Sequence, residues 1–260
     1  PFPMESYPFP YGKGIDAKIS KFKRRVIKDI VKFSSYISFP SDRLRDYTLK
    51  YFTGLDEEKT IITPHIVQGS ETSKRAFRRD RIFKIVHSGN VSKPRSPYNF
   101  LRAIKRIVES GRQNLIVDFI GLQDDGFLER VDELSLSAYV YVREPLDYFE
   151  NLKALKCYDV GLIIEANSLE EGIFLPTKVV DYLQCNLMIA SCSPSKGVLN
   201  DLYKENLVDY FSNVDSVQSI YEMLLEISDN GGKAWGRIKK EKDVSKMHGK
   251  AIIQAYKNIL

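Results

Sequence analysis

The chain has 260 residues, 43% of them hydrophobic, and a formal net charge of +5 at pH 7. This length allows one large domain or two domains of ordinary size. No run approaches the ~18 apolar residues that a membrane-spanning helix needs. The mildly positive charge is compatible with binding to phosphates, nucleic acid or an anionic membrane surface.

Neither disulfide nor zinc chemistry is expected. Cys157, Cys185 and Cys192 show no metal-ligand spacing, and their odd number indicates reduced residues of a cytoplasmic protein. The chain has only three histidines, which argues against a zinc site.

The N-terminal part begins with neither an initiator Met nor a signal-peptide pattern, so we expect a fragment that lacks an upstream half. An amphipathic helix is predicted over residues 16–33, because apolar residues recur there at steps of three and four. Its other faces are basic, and such faces are either solvated or lie on an anionic membrane. The basic residues that would touch a membrane are Lys18, Lys21, Arg24, Arg25 and Lys28.

A domain boundary is predicted near residue 70. A short strand (residues 35–40), a helix (42–52) and a second strand (60–64) indicate that residues 1–70 are the remnant of an N-terminal domain. The polar residues 71–80 have no clear pattern and predict a linker. No nucleic-acid motif accompanies the basic residues near this linker, so we expect no nucleic-acid partner.

Strands and helices alternate regularly over residues 81–230. This spacing predicts a parallel sheet with helices on both faces. Ligands of such sheets bind at the carboxyl ends of the strands, so the loops that follow the strands are informative. Residues 231–260 are predicted to form basic C-terminal helices. The principal strands are predicted at residues 83–89, 115–121, 138–142, 158–164 and 187–191.

The loop after the first of these strands is polar and basic. Gly89 permits close approach of the backbone, Asn90 offers an amide, and Lys93 or Arg95 would meet a diphosphate at the next helix start. Neither the Gly-x-Gly-x-x-Gly pattern of dinucleotide-binding domains nor the P-loop pattern is found. After the third strand, Arg143 is expected beside a base.

The segment after the fourth strand contains the main candidate site. Pro176 is expected to open a helix, whose free N–H groups would bind an anion together with the Thr177 hydroxyl and the Lys178 ammonium. Asp181 follows on the same side, where its carboxylate can accept hydrogen bonds from sugar hydroxyls. The pattern indicates a nucleotide-sugar site, and an ordinary strand-to-helix crossover with a polar cap is the alternative.

Five segments of the sequence are characteristic of a known family: IVHSGN (85–90), RSP (95–97), FIG (119–121), YDVGLI (158–163) and PTKVVDYL (176–183). Together they resemble the donor-binding domain of GT-B glycosyltransferases, especially the family-four type that builds bacterial surface polysaccharides. Residues 1–66 resemble the closing part of the acceptor-side domain. The resemblance implies an α/β fold of the GT-B type, with a Rossmann-like parallel-sheet donor domain and the closing part of a second Rossmann-like domain.

The resemblance also implies a nucleoside-diphosphate-sugar donor, with no cofactor and no essential metal. Lys178, with Arg95 or Lys93, matches the basic pair that binds the donor diphosphate. Asp181 matches the carboxylate that holds the ribose hydroxyls.

One position departs from the family pattern. A second carboxylate, which the family places on the sugar, would fall at Ile173 in this chain. Glu171 or Glu170 would replace it if the loop is reshaped, and Glu171 is therefore the one candidate for a catalytic role.

The implied function is transfer of a hexose to a glycan or lipid-linked acceptor in cell-surface polysaccharide synthesis, in the cytoplasm or peripherally on the inner face of the membrane. We expect the fragment alone to bind a donor and to transfer little sugar. A nucleotide-sugar epimerase of related fold is one alternative, although the predicted loops offer few acid–base residues. A non-catalytic interaction module with a decayed donor site is the other, and Ile173 supports it.

Overall fold

The strand-helix alternation of residues 81–230 forms a single six-stranded parallel sheet in the computed structural model. The predicted linker at residues 71–80 and the first part of the predicted N-terminal helix, residues 16–20, lie outside the described residues. The structure describes residues 21–51, 54–68, 82–91, 95–112, 114–166, 171–230 and 242–257.

Four short elements precede the sheet. They are α1 (Lys21–Phe33), β1 (Ile37–Phe39), α2 (Asp42–Tyr51) and β2 (Thr60–Ile62). β1 and β2 pair in parallel, and their side chains pack with those of α1 and α2 around a small apolar cluster that includes Phe39 and Leu44. A parallel strand pair covered by helices fits the predicted remnant of a Rossmann-like domain.

The sheet confirms the predicted α/β class, because every strand is parallel to its neighbours. The six strands of the sheet are β3 (Phe83–Ser88), β4 (Leu115–Ile120), β5 (Val140–Arg143), β6 (Val160–Ile164), β8 (Met188–Ser193) and β10 (Tyr210–Asn213). Two further strands of two residues each, β7 (Glu171–Gly172) and β9 (Lys196–Gly197), form a separate parallel pair.

The strand order is β10-β8-β6-β3-β4-β5. The chain therefore starts in the middle of the sheet at β3, runs to one edge, and returns through β6 to build the other half. Open parallel sheets bind ligands where the strand order reverses in this way, just outside the carboxyl ends of the strands. The loops after β3 and β6 flank that point.

Helices cover both faces of the sheet, as the fully buried strand β6 requires. The helices are α3 (Tyr98–Glu109), α4 (Phe127–Glu133), α5 (Tyr148–Leu155), α6 (Lys178–Gln184), α7 (Val198–Lys204), α8 (Val217–Asn230) and α9 (Gly249–Lys257). One face of the sheet packs against α3, α4 and α8, with Phe119 and Leu224 in its core. The other face packs against α5, α6 and α7, with Tyr182 and Leu199 in its core.

The C-terminal segment joins the two parts of the molecule. Met247, in a short turn before α9, is buried in the core beneath α6 and α7. Its carbonyl accepts a hydrogen bond of 3.0 Å from the N–H of Val67, at the end of the N-terminal part. The C-terminal residues therefore pack on the six-stranded sheet and its helices, and they also hold the chain that leaves the N-terminal elements.

The basic helix α1 is only partly covered. Its apolar side chains Val26 and Phe33 are 40% and 76% exposed, and Arg25 and Lys28 are also exposed. Lys18 lies outside the described residues, and Lys21 and Arg24 belong to α1. Across the described ranges, no helix is both long enough and apolar enough to span a bilayer.

Candidate functional site

The loop after β3 is fixed by backbone hydrogen bonds to the loop after β4. The Gly89 N–H donates to the Ile120 carbonyl at 2.7 Å, and the Val91 N–H donates to the Leu122 carbonyl at 2.9 Å. The Asn90 side-chain oxygen accepts from the Leu122 N–H at 2.9 Å. Asn90 thus positions the loop through its carbonyl oxygen, which leaves its NH₂ group as the part that offers a contact to a ligand.

Gly89 is required by its backbone and by its neighbour. Its φ of +124° lies in a region that other residues rarely adopt. A Cβ at this position would lie 2.8 Å from both Cε and Nζ of Lys178. The Lys178 ammonium therefore rests on the bare backbone of the β3 loop, at the point where the strand order reverses.

Two cations meet at this point. Burial and the positive charge of Arg95 together lower the pKa of Lys178 to about 8, and the negative charge of Asp181 opposes the shift. Because Arg95 acts on the Lys178 ammonium electrostatically, the β3 loop and α6 each place a basic residue near this point. No carboxylate among the described residues lies close enough to Lys178 to form an ion pair with it.

Asp181 lies one turn further along α6 and is half-buried. Burial raises the pKa of its carboxyl group, while the positive charges of Lys178 and His65 oppose the shift. His65 belongs to the segment after β2, and its Nε2 lies 3.1 Å from the Leu175 carbonyl. The N-terminal part of the chain therefore reaches the edge of the candidate site, which sequence reasoning missed.

The start of α6 differs from the expectation of free N–H groups. The helix begins at Lys178, and the N–H groups of Val179 and Val180 already donate to the carbonyls of Pro176 and Thr177. The Thr177 side chain makes no capping hydrogen bond. The N–H groups of Val179 and Val180 are therefore not free, and the Lys178 ammonium and the Thr177 hydroxyl are the side-chain groups of this segment that could contact an anion.

Tyr182 holds α6 against the sheet. Its ring packs on Gly161, where a Cβ would come within 2.3–2.7 Å of the ring carbons. Its hydroxyl accepts a hydrogen bond from the Ser88 N–H at 3.0 Å and donates to the Leu162 carbonyl at 3.1 Å. A phenol thus joins β3, β6 and α6, and this contact fixes the height of Lys178 and Asp181 above the sheet.

Arg143, expected beside a base, lies at the end of the edge strand β5. Its Nε donates to the carboxylate of Asp118 at 2.5 Å, and the Tyr158 hydroxyl donates to the same carboxylate at 2.5 Å. Asp118 is 2% exposed, whereas the Arg143 side chain is 57% exposed. The buried anion therefore anchors one side of the guanidinium and leaves its outer side toward solvent.

Glu171 and Ile173 face the N-terminal elements. Arg43 of α2 forms an ion pair of 3.1 Å with Glu171 and a two-pronged pair with Asp201 of α7. Ile173 is 3% exposed and belongs to the apolar cluster around Phe39. Residues 171–173 therefore form an interface between the two parts of the chain, and Glu170 lies outside the described residues.

Glu165 is a residue near the site that sequence reasoning missed. It directly follows β6 and is 7% exposed. Burial raises the pKa of its carboxyl group to about 7, against a hydrogen bond from Ser193 and the positive charge of Arg95. A charged residue immediately after a fully apolar strand was the signal that could have identified it.

Lys93 lies outside the described residues. Within the part of the chain that the structure describes, no group of three or more His, Cys, Asp or Glu residues is arranged to hold a metal ion.

The fold is that of the GT-B glycosyltransferases, as its likeness to solved structures shows. S. aureus TarM, solved as a point mutant with Fondaparinux, α-GlcNAc-glycerol and UDP, gives a TM-score of 0.71 at 11% identity. That match covers 94% of this chain and 47% of TarM. No family model and no curated protein matches the sequence.

Two other solved structures are similar. Pneumococcal GtfA, an O-GlcNAc transferase in complex with UDP and GlcNAc, gives a TM-score of 0.63 at 13% identity, over 86% of this chain and 44% of GtfA. Anabaena HepE in complex with UDP and glucose gives 0.64 at 12% identity, over 92% of this chain and 68% of HepE. The chain thus spans about half the length of TarM and GtfA.

Proposed function

We propose that the chain provides the donor-binding part of a glycosyltransferase. This enzyme would move a hexose from a nucleoside diphosphate to a glycan or lipid-linked acceptor in cell-surface polysaccharide synthesis. The observation that carries the proposal is the convergence of Arg95 and Lys178 where the strand order reverses, with Asp181 one turn along the helix. The similar structures of TarM, GtfA and HepE contain UDP, which supports a diphosphate at this point.

The charges favour a diphosphate over a neutral ligand. A buried ammonium that is also repelled by a guanidinium raises the free energy of the ligand-free site. An anion bound between Lys178 and Arg95 offsets both effects, and its charge-assisted hydrogen bonds are stronger than neutral ones. Asp181 then lies at a suitable distance along the helix to accept hydrogen bonds from ribose hydroxyls.

Isothermal titration of the chain with UDP, GDP, ADP and dTDP tests the donor site. We expect at least one of them to bind, and the affinity to stay the same in EDTA, because we propose that no metal is needed. No binding of any of the four at millimolar concentration would contradict the proposal. We also expect the chain alone to transfer little sugar, since the reaction of two-domain transferases takes place in the cleft between the domains.

A non-catalytic module with a decayed donor site is the second candidate. The observation that favours it is the position of Glu171 and Ile173, which are committed to Arg43 and to the apolar cluster. A decayed site should have lost nucleotide affinity, whereas a transferase with a reshaped loop should keep it, so the same titration separates the two. Product analysis with a nucleotide sugar alone separates both from an epimerase.

We also propose peripheral contact with an anionic membrane through α1. The exposed Val26 and Phe33 provide apolar area, and Arg25 and Lys28 provide positive charge. We expect the chain to sediment with vesicles that contain anionic lipid and not with neutral vesicles. The double variant Arg25→Glu, Lys28→Glu should remain in the supernatant, and equal sedimentation of both proteins would contradict this role.

A further inference from the structure

Glu165 has a carboxyl oxygen with no hydrogen-bond partner among the described residues. Its backbone N–H donates to the Cys192 carbonyl at 2.9 Å, which fixes the residue at the carboxyl end of β6. Its Oε2 atom is buried and accepts no hydrogen bond from the described residues. Leaving a buried polar atom unpaired is costly, so stability of the fold does not account for a glutamate at this position.

The surroundings hold this carboxyl group in one place. A Cβ on Gly172 would come within 2.6 Å of Oε2, so the carboxyl group packs against the bare α-carbon of that glycine. Gly197 in turn packs on the backbone of Gly172, where a Cβ would lie 2.7–2.8 Å from its atoms. The β7–β9 pair therefore leaves room for the Glu165 side chain and confines it.

The same cation acts on Glu165 and on Lys178. Glu165 follows β6 directly, and Gly89, on which Lys178 rests, follows the neighbouring parallel strand β3, so both lie at the same edge of the sheet. The positive charge of Arg95 lowers the pKa of both Glu165 and Lys178. In a nucleoside diphosphate sugar the second phosphate is bonded directly to the sugar. A diphosphate on Arg95 and Lys178 thus brings sugar hydroxyls into the neighbourhood of the Glu165 carboxyl group.

We propose that the Glu165 carboxyl group binds a hydroxyl of the sugar that the donor carries. This inference rests on the proposed function, because it needs the diphosphate to bind at Arg95 and Lys178. A hydroxyl suits the group, since it donates to a carboxylate and accepts from a carboxylic acid. Burial raises the pKa of Glu165 to about 7, so both forms occur near neutral pH.

The role proposed for Glu165 differs from the role that the sequence suggests for Glu171. Glu171 is paired with Arg43 and faces the N-terminal elements, whereas the Glu165 oxygen has no partner among the described residues. Glu165 also follows β6 directly, so its backbone is held by the sheet, while the β7–β9 pair confines its side chain. It is a sugar-binding residue.

The test compares nucleotides with their sugar conjugates in Glu165→Met and Glu165→Gln proteins. The probes are UDP, GDP, ADP and dTDP and the conjugates UDP-glucose, UDP-N-acetylglucosamine, GDP-mannose, ADP-glucose and dTDP-glucose. We expect Glu165→Met to weaken binding of the conjugate about ten- to a hundredfold, and to change binding of the bare diphosphate less than about threefold. Glu165→Gln should restore part of the loss, because an amide still hydrogen-bonds.

The controls separate this inference from the proposed function. Glu205→Met, at an exposed position after α7, should change neither affinity. Equal losses for conjugate and diphosphate in Glu165→Met, or no loss, would overturn the inference and leave the diphosphate site standing. A wild-type protein that binds diphosphates but no conjugate would do the same, and one that binds no probe would overturn the proposed function itself.

Folding of the variant provides a second readout. Because Glu165→Met removes a buried carboxyl oxygen that has no hydrogen-bond partner among the described residues, we expect its melting temperature to equal or exceed that of the wild type. A Glu165→Met protein that fails to fold would assign the carboxyl group a structural role and overturn the inference.

Discussion

The two ends of residues 171–184 differ in how their charges are balanced. At the first end, Glu171 is paired with Arg43 of the N-terminal part, and Ile173 is buried beside Phe39. At the second end, Lys178 lies on Gly89 with a guanidinium as its cationic neighbour. We call the first the satisfied end, because the charge of Glu171 is paired within the protein. We call the second the ligand end, because a bound anion would stabilise the Lys178 ammonium.

The difference separates structural from ligand-binding residues in one segment. Both ends carry a charged residue, and both follow β6 along the chain. A charge that finds an opposite charge within the fold stabilises the fold, whereas a buried charge with a like-charged neighbour lowers stability until a ligand binds. Substitutions at each end therefore have different expected effects.

The largest effect is expected at the satisfied end. Ile173→Ala removes a side chain that is 3% exposed and leaves a cavity between the two parts of the chain. We expect a loss of about 2–5 kcal/mol in the free energy of unfolding of this region, measured by hydrogen exchange of the amides in α2 and by urea unfolding. Diphosphate affinity should change less than about threefold.

The matched control is Leu122→Ala, at a position that is 60% exposed. It should cost less than about 0.5 kcal/mol, because little apolar area is removed from contact. If Ile173→Ala abolished nucleotide binding without loosening α2, the division of the loop into two ends would be wrong.

The next effect is expected at the ligand end. Lys178→Met removes a charge-assisted contact to the diphosphate, and we expect a loss of about 1.5–3 kcal/mol, or ten- to a hundredfold in affinity, in isothermal titration. The melting temperature should not fall, because a buried ammonium is replaced by an apolar side chain of similar length. Lys196→Met, at an exposed position in β9, serves as control and should bind normally.

The pH dependence of binding tests the same end more finely. The pKa of Lys178 is lowered to about 8 in the ligand-free protein, so its ammonium loses its proton above that pH. We expect diphosphate affinity to fall above pH 8, by at most about tenfold per pH unit for one proton. Lys178→Arg should bind with little change between pH 8 and 10, because a guanidinium stays charged.

The contribution of Lys178 to stability changes with pH in the direction opposite to its contribution to diphosphate affinity. Because the folded pKa of Lys178 is depressed below 10.5, the unfolded chain binds more protons between about pH 8 and 10.5. The free energy of unfolding of the ligand-free protein should therefore receive a contribution from Lys178 that rises with pH in that window.

For binding, a flat diphosphate affinity above pH 8 in the wild type would show that the Lys178 ammonium does not contact the diphosphate.

The smallest effect is expected from the partly exposed ion pairs at the satisfied end. Arg43 is paired with Glu171 and Asp201, and all three side chains are between 29% and 46% exposed. Arg43→Met should lower the free energy of unfolding by about 1 kcal/mol, because exposed ion pairs are screened by water. Glu171→Gln should leave nucleotide-sugar affinity within about threefold, and a larger loss would restore Glu171 as a donor-site residue.

The fold was largely predictable because it depends on local patterns. Alternating apolar runs and helical stripes predicted the parallel sheet and the position of its ligand-binding edge. The pair formed by β7 and β9 was not predicted, because two residues per strand carry no periodicity. The small apolar cluster that includes Ile173 was also missed, since Ile173 lies 118 to 142 residues along the chain from its other buried members, Val31 to Leu55.

The candidate site was partly predictable for the same reason. Gly89 and Asn90 follow β3 directly, and Lys178 opens the first helix after β6. Strands of a parallel sheet end at one edge, so these residues were expected near one another. Glu165 also follows a strand, but the apolar run before it and the family pattern drew attention to the later glutamates. Whether a carboxylate faces a ligand or an arginine depends on residues that are distant in sequence.

The α/β class, the resemblance to GT-B donor domains and the basic residues of the two loops follow from the sequence alone. They depend on short-range periodicity and on short segments between strands and helices. Which charges are balanced depends on the tertiary structure. It brought Arg43 to Glu171 across 128 residues, and left Lys178 beside another cation and Glu165 with an unpaired oxygen. Electrostatic balance depends on distances in space, and the order of residues along the chain does not contain them.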